Sequence, residues 1–450
     1  MPELIGSSGP ATRPLRASAC PGLFWIAPAR DGGICRIKLP FGRLASTQAR
    51  AIAEAAGRFG NGLIEITNRA NVQLRGVAES AGAGLIETLL AAGLGPNRPD
   101  ADDVRNVMVS PIAGIDPEQY LDVLPLARDL LAHIESDAGC RSLSPKFSFL
   151  IDGGEGVAAL DRPHDVWLAG MGGGRMALGF GGLPPIRADD ETPFAVVAVE
   201  RAVNAVAAAV RIFLDAAADD PTAVRFRDLF AQMPRERLLD QLCEQPGTGL
   251  VRDDGRPRWR RVEPCKASPV GIHAQRQDGF RFVGVAPPLA RLSPAMLEGL
   301  ASVADAMGEG ILRLTPWHGV IVPFVPVKQC LDSLRTLHRV GFVTDPDDPL
   351  ASMVACSGAT GCHAGLSDTK SDALFLAESL GRAPGSIHLS GCVKGCAAAG
   401  PTDTTLIAVG PNRYDVFVKG KGRDTTGLGR CLAQNLDIGK IASRLRERAP

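Results

Sequence analysis

Apolar residues become regular from Ile34 onward, where ICRIKL reads as a half-buried strand. Ser46 is placed as the N-cap of a helix running to about Phe59. LIEIT and VQLRG read as two further strands joined by a short turn, and Glu79 to Leu94 carries apolar residues at helical spacing. Strand, helix, strand, strand, helix is most of a ferredoxin-like unit. The order then returns. FRFVGVAP from Phe280 is a strand, Ser293-Pro294 opens a helix with cap and first-turn proline, ILRLT and GVIVPF pair, and Lys328 to Arg339 closes the unit. GLIEITNRANVQLRG lies opposite GILRLTPWHGVIVP, with Thr67 and Thr315 at equivalent points. The pattern predicts an internal duplication.

The segments after each unit also echo one another. KFSFLIDGG and DVWLAGMGGGRMALGFGG predict strands with a glycine-rich hairpin, and TTLIAVGPNRYDVFVKGKG repeats this near the C-terminus. The glycine run has no helix after it and is no nucleotide fingerprint. Phe194 to Ala218 reads as one long helix, and RDDGRPRWRRVE as a linker. The expected fold is α+β and internally duplicated. A loose arm (1–20) precedes a ferredoxin-like half-domain (21–95) and a larger strand-rich domain (96–250). A linker (251–268), a second half-domain (269–342) and a second larger domain (343–450) follow.

Composition narrows the function. Lys+Arg and Asp+Glu number 49 each, which argues against nucleic acid as a partner. No apolar run reaches the length of a signal core or a membrane span, so no membrane association is expected. Eleven cysteines are too sparse for a secreted disulfide scaffold, and a reducing cytoplasm is expected.

The sharpest chemical signal is a pair of cysteine pairs. CSGATGC places Cys356 and Cys362 with five residues between them, and SGCVKGC places Cys392 and Cys396 with three between them, with a helix expected from Asp372 to Leu380 separating the pairs. Four thiolates close either an iron–sulfur or a zinc site, and zinc knuckles usually space cysteines two to four apart. The spacing favours iron–sulfur and leaves zinc open. The other cysteines (Cys20, Cys35, Cys140, Cys243, Cys265, Cys330 and Cys431) read as packing residues.

The two pairs, following a duplicated ferredoxin-like unit, resemble the nitrite and sulfite reductase superfamily. That resemblance implies a 4Fe–4S cluster on Cys356, Cys362, Cys392 and Cys396. TNRANVQLRGV is similar to the segment lining the tetrapyrrole pocket, which implies that Arg69, Asn71, Gln73 and Arg75 face a polycarboxylate ring. Paired arginine donors suit such a ligand. Arg36, Arg105 and Lys146 resemble the basic residues around the oxyanion in the reductases. One departure stands out: where those enzymes read Lys-Phe-Lys, this chain has Lys146-Phe147-Ser148, one cation fewer around an anion to be reduced.

The segments ACPGLFW, DGGICRIKLPFGRL, LTPWHG and SGCVKGCA resemble the branch of the superfamily that hydroxylates precorrin-3A with dioxygen in aerobic cobalamin biosynthesis. This resemblance implies a monooxygenase with the tetrapyrrole as substrate and an external donor, a ferredoxin or an NADH-dependent reductase. It also implies a mononuclear non-haem iron, whose ligands the sequence does not locate, so no catalytic residue is assigned. His318, in the turn equivalent to the pocket segment, is the histidine to test first; His363 is expected to pack or to bond a cluster sulfur. The alternative is a sirohaem-dependent nitrite or sulfite reductase. A third class is a non-enzymatic electron carrier or zinc-stabilised binding protein.

Overall fold

Equivalent helices Ser46–Phe59 and Pro294–Met307 are followed by equivalent strand pairs, Ile64–Ile66 with Val72–Val77 and Ile311–Leu314 with Val320–Pro326. The computed structural model describes residues 20–447 apart from 221, 252–257, 266–268, 383, 399, 401 and 421–427. The expected N-terminal arm, except Cys20, and part of the expected linker therefore lie outside the described residues.

Even the unusual turns repeat. Phe41 and Leu289 have φ of 60° and 52°, and Ala70 and His318 have 55° and 66°. Non-glycine residues rarely adopt this region, so their recurrence marks a shared backbone path. Thr67 Oγ1 accepts from the Asn71 N–H at 3.1 Å, and Thr315 Oγ1 accepts from the Gly319 N–H at 2.9 Å.

The two ferredoxin-like halves are joined by exchanging edge strands. Arg43–Ala45 of the first pairs with Ile311–Leu314 of the second, and Arg291–Leu292 pairs with Ile64–Ile66. One core results, in which Leu44, Ile52 and Leu74 pack together with Leu292, Leu300 and Val322. Burying apolar surface against the other half is what each half-sheet lacks alone.

The remaining sheets repeat as well. Val107–Val109, Phe149–Asp152, His164–Gly172, Arg175–Gly182 and Ala195–Ala198 form one sheet, the first three strands parallel and the rest antiparallel. Met353–Ala355, Ile387–Ser390, Thr404–Gly410, Arg413–Val418 and Arg430–Asp437 reproduce that order and those directions. The duplication therefore covers both kinds of domain.

Several local expectations are corrected. The segment from Phe194 is not one helix: Ala195–Ala198 pairs with Arg175–Gly182 before a helix runs Ala202–Asp219. Val196 and Val197 are β-branched and complete the sheet edge, overriding the alanine-rich pattern. Ser46 is the first helical residue rather than the cap, and Gln48 Oε1 accepts from the Ala45 N–H at 3.1 Å. The helix expected over Glu79–Leu94 is a short 3-10 turn, Glu79–Ala81, followed by Gly82–Ala91. The closing helix of the second unit is Cys330–Arg339, and the helix between the cysteine pairs begins earlier, Thr369–Leu380, capped by Asp368.

Candidate functional site

Cys356 follows strand Met353–Ala355 and Cys392 follows Ile387–Ser390. These strands are parallel neighbours, so both cysteine loops leave the same end of one sheet. The loops are packed backbone to backbone. A Cβ on Gly391 would lie 3.2 Å from Gly365 Cα and 3.3 Å from Gly358 Cα, and one on Gly358 would meet the Ser367 carbonyl at 2.6 Å. The Gly391 N–H donates to Cys356 Sγ at 3.1 Å, and Thr369 Oγ1 donates to the Cys356 carbonyl at 2.7 Å. Burial, then the neighbouring Cys392, Cys356 and Cys362, raises the Cys396 thiol. All four sulfurs thus share one electrostatic neighbourhood, although no three His, Cys, Asp or Glu among the described residues are gathered tightly enough for a single metal ion. Four thiols, a sulfur-directed N–H and a glycine cradle fit an iron–sulfur cluster, whose cysteines bind separate irons. The mononuclear iron implied by the resemblance has no such ligand set among the described residues.

A buried ionic hub supports these loops. Arg75, 2% exposed, holds Asp31 through two bonds (2.9 and 2.7 Å), lies 3.4 Å from Glu65, and donates to the Gly361 carbonyl at 2.7 Å. Glu65 also accepts from Gln73 at 2.8 Å and from Arg291 of the exchanged strand at 3.0 Å. Burial alone would raise its carboxyl, but Lys370, Arg75 and Arg291 hold it down at about 2.

The sequence-derived ring contacts therefore divide. Arg75 is not in the lining of either cavity described below, and its donors go to the hub. Gln73 bridges Arg36 and Glu65, and Asn71 Oδ1 accepts from the Leu39 N–H at 2.9 Å. Arg105 is buried, 3.5 Å from Asp102 and 3.7 Å from Glu135. Lys146 is exposed. Arg36 stays near the cysteines: its Nε is buried without a partner, and burial, set against the nearby Cys20 and Cys396, lowers its guanidinium. Of the expected packing cysteines, Cys35, Cys140 and Cys330 are buried, whereas Cys265 and Cys431 are exposed.

A cavity of about 1000 Å³ abuts the chain that follows Cys396. Ala397, His318, Trp317, Arg162, Trp167 and Cys265 are among its walls. His318 spans two domains: Nδ1 lies 2.9 Å from the Ile66 carbonyl and Nε2 lies 3.0 Å from the Ala397 carbonyl. Burial lowers its ring below the usual histidine range. A smaller cavity of about 190 Å³ shares Arg162, Pro163 and Gly181 with the large one and is lined by Arg69 and Ser148. Sequence reasoning missed Arg162, His164, Arg225 and Trp317 at these cavities. Trp317 alone was accessible by pattern, since it occupies the repeat position of Arg69.

Residues 27–92 and 273–340 match the nitrite/sulfite reductase ferredoxin-like half domain, and residues 100–248 match the nitrite and sulphite reductase 4Fe-4S domain. The chain belongs to the nitrite/sulfite reductase family. It is 30% identical to a precorrin-3B synthase from Sinorhizobium sp over 98% of this chain and 94% of that protein. It is 28% identical to a ferredoxin–nitrite reductase from Synechococcus elongatus over 89% of this chain and 82% of that protein. The Mycobacterium tuberculosis NirA structure superposes with a TM-score of 0.73 at 20% identity, covering 91% of this chain and 79% of that one. The family's relatives are oxidoreductases, and so is this chain.

Within the family frame, the matched 4Fe-4S domain is the first copy, while the four cysteines lie in the second. In the first copy the loop equivalent to SGCVKGC is Gly153–Val157, which carries no cysteine. Asp152 and Arg261 form a buried ion pair at 2.6 Å there, and burial followed by Asp152 raises the Glu155 carboxyl to about 8. Where the cysteine copy presents thiols, the other copy is closed by a salt bridge.

Proposed function

We propose that the protein is an oxygen-dependent monooxygenase converting precorrin-3A to precorrin-3B, by hydroxylation at a meso carbon with formation of a lactone. The observation that carries this reading is the 30% identity to a precorrin-3B synthase over 98% of this chain. The cavity of about 1000 Å³ set against Ala397, next to Cys396, has a size suited to a tetrapyrrole, whether substrate or sirohaem. Cys356, Cys362, Cys392 and Cys396 would hold a 4Fe–4S cluster, which supplies electrons when bound. Inserting one oxygen atom of dioxygen and reducing the other to water takes two electrons and two protons, delivered from a ferredoxin or an NADH-dependent reductase. Trp317 and Trp167 offer apolar walls to the ring, and Arg162 lies in the same wall as its ion-pair partner Asp161. His318, in the cavity wall, ties the chain beside Cys396 to the first half-domain.

The reading is tested by supplying precorrin-3A, a reductant and labelled dioxygen to protein purified without air. One labelled oxygen in the product is expected, with little turnover of sulfite or nitrite. Stoichiometric sirohaem and brisk nitrite or sulfite reduction would promote the second reading, a sirohaem-dependent reductase, which the 28% identical nitrite reductase favours. Ser148 speaks against that reading: an uncharged side chain stands where the reductase pattern carries a second lysine.

A further inference from the structure

The ionic hub against the cysteine loops does not balance. Three cations, Arg75, Arg291 and Lys370, stand against two carboxylates, Asp31 and Glu65. Lys370 is the cation with no ion-pair contact of its own. It lies on the Thr369–Leu380 helix, 6% exposed, and its ammonium donates to the Leu289 carbonyl, a neutral partner. Burial lowers it to about 8 while Glu65 and, more weakly, Cys356 hold it charged, so it is a cation at neutral pH. A buried cation is costly to keep unless negative charge lies near it. Asp372, on the same helix, belongs to a separate network with the Ser367 and Tyr414 hydroxyls.

The hub meets the cysteine loops at three points. Arg75 donates to the Gly361 carbonyl at 2.7 Å, and Ser357 Oγ donates to Glu65 Oε2 at 3.5 Å. Thr369, one residue before Lys370, sets its hydroxyl 2.7 Å from the Cys356 carbonyl and 3.7 Å from the Cys356 sulfur. Four thiolates and four sulfides outweigh the charge of four irons, and reduction adds one electron more. The excess positive charge of the hub therefore lies where a cluster would bring excess negative charge.

We propose that Lys370 and its hub are the built-in counter-charge of the cluster and set its reduction potential, an inference that rests on the iron–sulfur reading above. Lys370 and Glu65 act through their fields and are not ligands. The signs are fixed by charge: the Lys370 ammonium favours the added electron and raises the potential, whereas the Glu65 carboxylate lowers it. Both groups are buried, so salt screens them weakly.

The test is an anaerobic dithionite titration of the full-length, cluster-loaded protein at pH 7, with the reduced cluster followed by electron paramagnetic resonance. Lys370→Gln should shift the one-electron equilibrium about tenfold toward the oxidised cluster, a potential about 59 mV more negative. Glu65→Gln should shift it the opposite way, and Lys370→Arg, which keeps the charge, should stay near wild type. Opposite signs are the decisive readout, since a loosened cysteine loop would not follow the sign of the charge removed. Iron and sulfide counts with circular dichroism show whether each variant is loaded and folded. If Lys370→Gln does not load, Arg291→Gln carries the same expectation, because Arg291 is 26% exposed and gives its charge to the same carboxylate. Wild-type potentials in the loaded variants, or shifts of one sign in both, overturn this proposal and leave the iron–sulfur reading standing. A wild-type chain that takes up no iron and sulfide overturns both.

Discussion

The Arg75 guanidinium donates to the Gly361 carbonyl at 2.7 Å, one residue before Cys362. A strand of the first half-domain thereby holds the cysteine loop of the last domain. A Cβ on Gly361 would lie 2.5 Å from Arg75 Nη2, so the glycine is what lets the guanidinium approach. Glu65, on the neighbouring strand, ties the same arginine to Arg291 of the other half. Both halves of the duplicated chain and the cysteine domain meet at this one ionic hub.

Replacing Arg75 by Ala should cost about 3–5 kcal/mol, because Glu65 and Asp31 lose their shared buried partner. Arg75→Lys should restore only part, since one ammonium cannot span Asp31, Glu65 and the Gly361 carbonyl. Urea unfolding of both variants, with iron counted per chain, checks this. Wild-type stability and full iron in the alanine variant would show that the loop is held by other contacts.

Cys392→Ser should remove the iron–sulfur absorbance and the activity together, because an alkoxide poorly replaces a thiolate toward iron. Iron and sulfide analysis of anaerobically purified protein decides it. Four irons and four sulfides per variant chain would take Cys392 out of the ligand set.

The Glu155 carboxyl is raised from its ordinary 4.5 to about 8 in the folded chain. The stability associated with its protonated form is therefore complete below about pH 4.5 and is lost as pH rises toward about 8. Glu155→Gln, neutral throughout, should flatten that part of the stability profile. Parallel wild-type and variant curves from urea unfolding between pH 5 and 8 would contradict the assignment.

Glu65 has the opposite sign. Its folded carboxyl is held at about 2, so its contribution is present above its ordinary 4.5 and fades as pH falls through about 2. Glu65→Gln should be less stable than wild type at pH 7, and the gap should narrow below pH 4. A gap independent of pH would mean that lost packing, not charge, causes the effect.

Ser293 Oγ accepts from the Met296 N–H at 3.1 Å and caps the Pro294–Met307 helix. Ser293→Ala should lower stability by about 1 kcal/mol, visible as a lower Tm with unchanged iron content. An unchanged Tm would show the cap to be redundant.

Local periodicity was enough to expose the duplicated α+β order, the Ser293 cap and the two cysteine pairs, because each is a relation between residues close in the chain. Thr67 and Thr315 could be matched from the sequence because the turn around each is built from its own neighbours. The helix expected over Phe194–Ala218 failed at its start for the converse reason: Val196 and Val197 form a strand only because Ala177 and Met176 are there to pair with them. The same distinction governs the site. That Arg69 and Arg75 are basic residues on one segment was plain, but their donors are assigned by distant groups: Asp31, Glu65 and Gly361 take Arg75, whereas Arg225 and His164 share a cavity with Arg69. The exchange of Arg43–Ala45 for Arg291–Leu292 left no trace in either segment. Strand pairing is chosen by which edge is free and which face must be covered, and only the packed chain sets both.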